Sequence, residues 1–510
     1  MRIPKVLLVY PPNQLMDVEV PRPDGSLGLL YLAGALRKVG VEVDILDASV
    51  GGPEDLLNST FYRRVLQSNG LVRIGMSVER IGEFISRGGY DIVGVNSNFT
   101  PQTKMALEVA RAAKEVGNDI LVMAGGVNAR NLPEKFFKSG MVDLICSTEG
   151  EGVIVKAVQN WSKGISLRGI PGTIFSDNGN ITHIPLVPDP VLTNLDNLPF
   201  PAWDLLPFEK YEKISAPHGD PSVQKDARYA PVMTSRGCPF ECVFCHISKE
   251  KEGSSGNIGS LRLKSTDRVL EEIRILQSLG VKRLFFEDDS LLAKKSRVRL
   301  IFEKVASMGL SIANVNGVNL VHFLVKSGRN SYRIDKDYLI MLKEAGFDCI
   351  VFPVESASQR VLDKYATGKL NHQNIDVLEL VGMANEVGIA SPINIMMGFP
   401  DETEAEIMSS IELGKKLVVA GARYVTYFIP IPFPGSRLFD IAMREGHLEP
   451  DFDPDIMNWK RPVMKKTVVS PERLIELRDW AWHETNRPDY IEQRLRSNIG
   501  SRTDSFSAGQ

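Results

Sequence analysis

Residues 234–246 read TSRGCPFECVFCH, and three thiols, Cys238, Cys242 and Cys245, fall within them in a CxxxCxxC spacing. Gly237 and Pro239 punctuate the end of an apolar run that stops at Thr234, which puts the cysteines on a loop after a strand. Soft thiolates gathered this closely suit zinc or an iron–sulfur cluster. A cubane takes one cysteine per iron, so three cysteines leave one iron open to a substrate. With five cysteines in 510 residues, chance gives this spacing in roughly one such chain in two thousand. The alternative is a Cys3His zinc site with His246. Cys245 and His246 are adjacent, an awkward bite for one tetrahedral ion, and no second CxxC pair completes a ribbon.

A chain of 510 residues exceeds one core and suggests two large domains plus a smaller piece. Net charge is -3 with mixed signs throughout, which gives no electrostatic footprint for nucleic acid and points to a small or amphiphilic substrate. No apolar run approaches the roughly 18 residues of a membrane span. The start, MRIPKVLLVYPP, is interrupted by proline too soon for a signal peptide. A cytoplasmic chain with no membrane span is expected, since a labile cluster wants a reducing compartment. Cys146 and Cys349 lie in apolar strand-like runs and read as core thiols.

Residues 1–165 alternate strand and helix. Lys5–Tyr10 is a short β-rich run, Leu27–Val39 has helical periodicity, and VEVDILD, DIVGVNS, DILVMAGG and VDLICST continue as strands, with a helix over 101–116. Such alternation predicts a doubly wound, Rossmann-like parallel sheet with ligands at the carboxyl ends of its strands. Those ends carry DASVGG (47–52), SNF (Ser97, Asn98, Phe99), Gly125 and Gly126, and EGEG (149–152), where glycine permits close approach of a ligand to the backbone. Their order resembles the cobalamin-binding fold, whose motifs run DxHxxG, SxL and GG. The resemblance implies cobalamin contacts at Ser49, Ser97, Asn98, Phe99, Gly125, Gly126, Val127, Asn128, Glu149 and Gly150. Ser49 stands where that pattern has the cobalt-ligating histidine, which implies a base-off cobalamin with no histidine on its lower face. The family's GGPHA turn reads GGVNA here.

Residues 166–229 lose periodicity and are crowded with proline (PLVPDP, LPFPAWDLLP), which predicts an extended connector. Over 230–447 the alternation returns: APVMTSRG, KRLFFED, SIANVNG, CIVFPVES, INIMMGF and YVTYFIPIP are six strands separated by helices near 266–279, 294–308, 336–345 and 402–419, with helical segments through Val387. Six units in one direction predict a partial, TIM-like (β/α)6 barrel with its reactive groups at the carboxyl ends of the strands. Residues 448–510 read as a mainly helical tail, with a run over 471–484 and a polar, disordered last dozen residues. Its Trp459, Trp480, Trp482 and Tyr490 either roof the active site or, more often for such aromatics, pack the tail on the barrel.

The cysteine spacing, with Phe244 before the last thiol, resembles the radical S-adenosylmethionine (radical SAM) enzymes. Together with the first domain, the chain is similar to their cobalamin-binding subfamily. The resemblance implies a 4Fe–4S cluster on Cys238, Cys242 and Cys245, with S-adenosylmethionine on the open iron and methylcobalamin nearby. It also implies S-adenosylmethionine contacts at Phe244, at Glu287 and Asp288 (beside Asp289) for the ammonium, at Glu355 and Ser356, and at Met396 and Phe428 for the adenine. NIMMGFPD matches the GxIxGxxE strand of the family in part, with Asp401 at the acidic position. Asn314 and Asn316 are candidates for substrate or carboxylate contact or, equally, an ordinary polar strand end, and Ser356 is a candidate for a helix cap. The implied activity is methyl transfer to an unactivated carbon of a small molecule through a 5′-deoxyadenosyl radical, with an electron donor such as flavodoxin or ferredoxin. A ring-forming or ring-rearranging reaction without methyl transfer and a non-catalytic cobalamin-binding regulator are the alternatives. No catalytic proton or hydrogen donor is assigned.

Overall fold

The computed structural model describes residues 3–16, 19, 25–185, 193–214, 227–252, 256–329, 331–458 and 460–492. Most of PLVPDP, Trp459 and the polar last dozen residues, all read above, lie outside the described residues. The chain divides into two compact units, one mainly of residues up to Arg228 and one mainly of residues from Tyr229.

In the first unit, Val6–Tyr10 pairs in parallel with Val43–Asp47 on one side and Ile92–Asn96 on the other. Leu121–Gly125 and Leu144–Cys146 extend the parallel array. Strand alternation explains why every position of the first strand is apolar. Leu7 and Val9 enter one core with Ile81, Ile85 and Val109, whereas Val6 and Leu8 enter another with Leu29, Ala33, Val153 and Ile154. Helices therefore cover both faces, Leu27–Lys38 and Gly150–Ser162 on one and Val78–Gly88 and Thr103–Val116 on the other. The strand order reverses beside Val6–Tyr10, and such a switch point is where open α/β sheets bind ligands.

The stretch expected as an extended connector also contributes structure. Thr173–Asp177 and Asn180–Ile184 form a hairpin on the edge of this sheet, antiparallel to Leu144–Cys146. Farther on, Trp203 and Tyr211 are buried. Proline at both flanks hides this hairpin from a periodicity reading.

In the second unit, Tyr229–Val232, Arg283–Phe286, Ser311–Asn314 and Phe347–Cys349 pair in parallel in that order, and Phe352–Glu355, Pro392–Met396 and Tyr424–Phe428 form a second parallel set. A lone bridge from Cys349 to Ala390 joins the two sets. All six expected strands are present, the fourth interrupted at Ile350 and Val351. There the Asn314 side chain replaces a strand partner: its Oδ1 accepts the Val351 N–H at 3.0 Å. Asn314 thus supports the strand end, and Asn316, which is exposed, donates to the Glu287 carbonyl at 2.9 Å.

The barrel is open, and the tail closes its sixth strand. After the helix Pro471–Thr485, Asn486 accepts the Val425 N–H at 2.8 Å and donates to the Val425 carbonyl at 2.9 Å, as a neighbouring strand would. Tyr490 stacks on Tyr424 with ring centroids 4.7 Å apart, and Lys415 lies over Trp480. Tyr424 begins the strand, at the end away from the carboxyl ends, so Tyr490 packs the tail and roofs nothing. Replacing Asn486 with leucine leaves two backbone groups unpaired in a buried setting. The expected loss is about 1–3 kcal/mol, measured as a lower urea midpoint for the transition that reports on this unit.

Candidate functional site

The cysteine loop leaves the first barrel strand under close restraint from the end of the second. The buried Asp288 carboxylate accepts the Thr234 N–H at 3.0 Å, the Thr234 hydroxyl at 2.7 Å and the Ser235 hydroxyl at 2.5 Å. Asp289 accepts the Gly237 N–H at 3.1 Å, and burial pushes this acid up to about 6. Gly237 has φ 77°, and a Cβ there would stand 2.4 Å from the Ser260 carbonyl oxygen, so only glycine fits. Farther along, the Cys238 N–H donates to Gly259 at 3.1 Å, the Val243 N–H to Tyr365 at 2.8 Å, and the Leu438 N–H to Val243 at 2.9 Å. The loop is thus tied at both ends.

Burial pushes the Cys242 thiol up to about 11 and the Cys245 thiol up to about 12. Both hold their protons at neutral pH until a soft metal replaces them. Among the described residues, no three Cys, His, Asp or Glu side chains converge on a single ion. Cysteines that each serve a different iron of one cluster must stand apart, and the donor set of three thiols fits that cluster.

Glu355 ends the fourth strand at φ 64°, a strained setting for a residue with a side chain. Its carboxylate is ion-paired to Lys369, 14 residues on. Burial draws the Lys369 ammonium down, but Glu355 and the Cys242 sulfur outweigh it and raise it above its ordinary value. The pair therefore places an ammonium and its carboxylate partner beside the cysteine loop. Lys369 escaped the sequence reading because a lysine after a helix in ATGKLNH carries no local signal.

The other expected contacts divide. Phe244 and Met396 border one apolar cluster with Tyr365 and Phe399, the latter two rings stacked 4.2 Å apart. Met396 pairs in register with Phe428, and the Phe428 carbonyl accepts the Met397 N–H at 2.9 Å. These three residues are brought together. Glu287 is only partly buried. Asp288 accepts from Thr234 and Ser235, chiefly on Oδ1, and so ties the end of its strand to the loop. Ser356 is fully buried against Ser410, and the helix Gln359–Tyr365 is capped by Ser358 instead, whose side chain accepts the Val361 N–H.

At the partial GxIxGxxE match, Asp401 faces outward. Burial opposes its charge, yet bonds from Tyr365, Lys364 and Arg360 hold it down at about 2. The next residue, Glu402, does the inner work: its Oε2 accepts the Gly398 N–H at 2.7 Å and the Phe399 N–H at 3.1 Å. Its Oε1 is buried without a partner, and burial pushes the acid up to about 7 against those two bonds.

In the first unit, the expected cobalamin residues stand at the carboxyl ends of adjacent strands. The Asn128 amide donates to the Ser97 hydroxyl at 2.9 Å and the Thr103 hydroxyl at 3.0 Å, and its Oδ1 is buried with no partner. An unserved acceptor in such a crevice suits a ligand that brings its own donor, as the amide-fringed corrin of cobalamin does. Asn98 is exposed and Phe99 is 49% exposed beside it, an apolar ring at the rim. Gly125 has open space, nothing lying closer to a built Cβ than Cys146 at 3.7 Å, whereas Gly126 is demanded by its own neighbours: a Cβ would meet Asn98 Oδ1 at 2.3 Å and the Ser97 carbonyl at 2.5 Å. Val127, Glu149 and Gly150 are half-buried at the adjoining strand ends. Ser49 is wholly buried and donates to Asp47 at 2.6 Å.

Comparison with known proteins agrees with this division. Residues 232–414 match the radical SAM superfamily and residues 25–158 match the B12 binding domain. An uncharacterized methyltransferase of Pyrococcus horikoshii is 31% identical over 94% of this chain and 91% of its own. The cytidylyl-2-hydroxyethylphosphonate methyltransferase of Streptomyces wedmorensis is 26% identical over 91% of this chain and 86% of its own. The fold is similar to the cobalamin-dependent S-adenosylmethionine radical enzyme OxsB (TM-score 0.69, 18% identity, 99% of this chain and 72% of that one). It is also similar to the radical S-adenosylmethionine methyltransferase TsrM of Kitasatospora setae (TM-score 0.62, 15% identity, 88% of this chain and 79% of that one). The chain belongs to the cobalamin-binding radical SAM enzymes. Its cofactors are accordingly a 4Fe–4S cluster, S-adenosylmethionine and cobalamin. Among the described residues, no helix is long and apolar enough to cross a membrane.

Two outcomes are expected. Gly237→Ala forces the loop off Ser260, and iron per chain after anaerobic reconstitution should fall by half or more while cobalamin binding is kept. For Glu402, the folded acid sits at about 7, above its ordinary 4.5. Its contribution is complete below pH 4.5 and lost as pH rises through 7. Glu402→Gln keeps an acceptor for both N–H groups, so its stability relative to the parent chain should rise between pH 5 and pH 8 by on the order of 1–3 kcal/mol, read from urea melts at each pH.

Proposed function

We propose that this chain is a cobalamin-dependent radical SAM C-methyltransferase that delivers a methyl group to an unactivated carbon of a small molecule. The observation that carries the reading is the three-thiol loop, fixed by Asp288 and Asp289, with the Glu355–Lys369 pair set beside Cys242. When bound, the cluster and S-adenosylmethionine supply a 5′-deoxyadenosyl radical and cobalamin supplies the methyl group.

The chain's own residues bind, orient and exclude water. Cys238, Cys242 and Cys245 would hold the cluster and, being three, would leave one iron available to S-adenosylmethionine. Glu287, partly buried at the end of the second strand, takes the ammonium, for which a carboxylate is the natural partner. Lys369 balances charge beside the thiolates and, with Glu355, fixes the methionine end. Phe244, Met396 and Phe428 form the apolar wall for the adenine and keep water from the reacting carbon. Ser97, Asn98, Phe99, Gly125 and Asn128 would hold cobalamin, and a carrier of the flavodoxin or ferredoxin type would supply the electron that the cluster needs. Relatives named as methyltransferases of a cytidylyl phosphonate, of hopanoids and of a bacteriochlorophyllide support methyl transfer across unlike substrates.

The test is a count followed by a mass measurement. Purified without oxygen, with cobalamin supplied and the cluster reconstituted, the chain should hold about four irons and about one cobalt. Alanine at any of the three cysteines should remove the iron and abolish cleavage of S-adenosylmethionine. Product heavier by one methyl group establishes the transfer. Iron without cobalt, or turnover without methyl gain, overturns it.

A further inference from the structure

The loop Asp47–Asp55 occupies the place where the cobalamin fold offers its cobalt ligand, and here it is gripped from a distant part of the chain. Lys210, on the short helix Phe208–Tyr211, inserts its ammonium among four carbonyl oxygens of that loop: Val50 at 3.1 Å, Gly51 at 3.2 Å, Gly52 at 2.5 Å and Asp55 at 2.8 Å. The neighbouring Tyr211, itself buried, donates to Asp47 Oδ2 at 2.7 Å. On the other oxygen, Asp47 accepts the Ser49 hydroxyl at 2.6 Å and the Ser49 N–H at 2.9 Å.

Four carbonyl dipoles aimed at one point repel one another unless a cation sits there, so this loop conformation depends on the ammonium. Gly51 at φ 88° supplies the bend, and its built Cβ would lie 2.8 Å from Asp55 Cβ. Asp55 is held in turn, its carboxylate accepting the Gly52 N–H at 2.9 Å and pairing with Arg80 at 2.8 Å. The consequence falls on Ser49. Its hydroxyl is committed to Asp47 and has no exposed surface, so the residue that replaces histidine is turned inward.

We propose that Lys210 and Tyr211 are positioning residues for cobalamin: by fixing the Asp47–Asp55 loop they withhold every oxygen of that loop from the lower face of cobalt. The proposal rests on the cobalamin reading above. It adds that the missing axial ligand is a condition maintained by two residues about 160 positions away, rather than a mere result of having serine in place of histidine. Releasing the loop gives the Ser49 hydroxyl, the Asp47 carboxylate or water a path to the metal.

The experiment titrates cob(II)alamin into the full chain and into the Lys210→Met, Lys210→Arg and Tyr211→Phe variants, following affinity, the visible spectrum and the electron paramagnetic resonance of cobalt. The parent chain should give a base-off signal without nitrogen splitting. Lys210→Met and Tyr211→Phe should weaken binding about tenfold or more, as loss of residues that orient a metal site commonly does, and should move the cobalt signal toward an oxygen-ligated form. Lys210→Arg keeps a cation and should recover most of the affinity. A general loss of structure would not produce that rescue or a new cobalt signal. If the parent chain takes up no cobalamin, the cofactor reading itself falls. If the parent binds and Lys210→Met and Tyr211→Phe match it in affinity and signal, the positioning role is overturned. Should Lys210→Met fail to fold, the single hydroxyl removed in Tyr211→Phe decides the question.

Discussion

The buried Asp288 carboxylate is the interaction on which the catalytic unit depends. A carboxylate out of water is costly unless donors replace its hydration, and Thr234 and Ser235 provide them from the neighbouring strand. This exchange couples the end of the second strand to the start of the cysteine loop. Asp289 then fixes Gly237 one step farther on. The thiols hang from a loop in which Thr234, Ser235 and Gly237 are held by two acids, while Val243 is hydrogen-bonded to Tyr365 and Leu438 at the far end. A cluster that must accept an electron and hold a cofactor on one iron needs a support of this stiffness, because a misplacement of about 1 Å can cost on the order of a hundredfold in rate.

The first unit solves a different problem with the same device. Its sheet is buried on both faces, so only the carboxyl ends of the strands are left to meet a ligand. The loops there differ in who shapes them. Gly126 is fixed by the backbone of Ser97, Asn128 by two hydroxyls, and the Asp47 loop by Lys210. Each loop is set by a neighbour, so the crevice is formed before any ligand arrives, which lowers the ordering cost of binding.

Much of this was legible in sequence because the signals were local. Short apolar runs alternating with helical periodicity mark the strands and helices, and three cysteines in eight residues mark the cluster. The illegible features are those that pair residues far apart. Nothing near Lys369 announces Glu355, and nothing near Lys210 announces Gly52, 158 residues away. The acids after the second strand show a subtler limit. Three in a row read as one ligand-binding patch, yet the Asp288 and Asp289 side chains have separate partners, since successive residues at a strand end point in different directions. Ser356 misleads in a similar way: the cap lies two residues on, at Ser358.

The side chain of Asn486 stands where a seventh strand would be. An unprotected parallel edge is a template for self-association, and a single amide covers only one residue of it. The recognisable radical SAM segment, residues 232–414, stops short even of the sixth strand. Cut to that segment, the barrel would present the raw edge of Pro392–Met396 to its copies and precipitate. Any shortened version or domain exchange of this unit therefore has to run past Phe428, so that the sixth strand covers that edge.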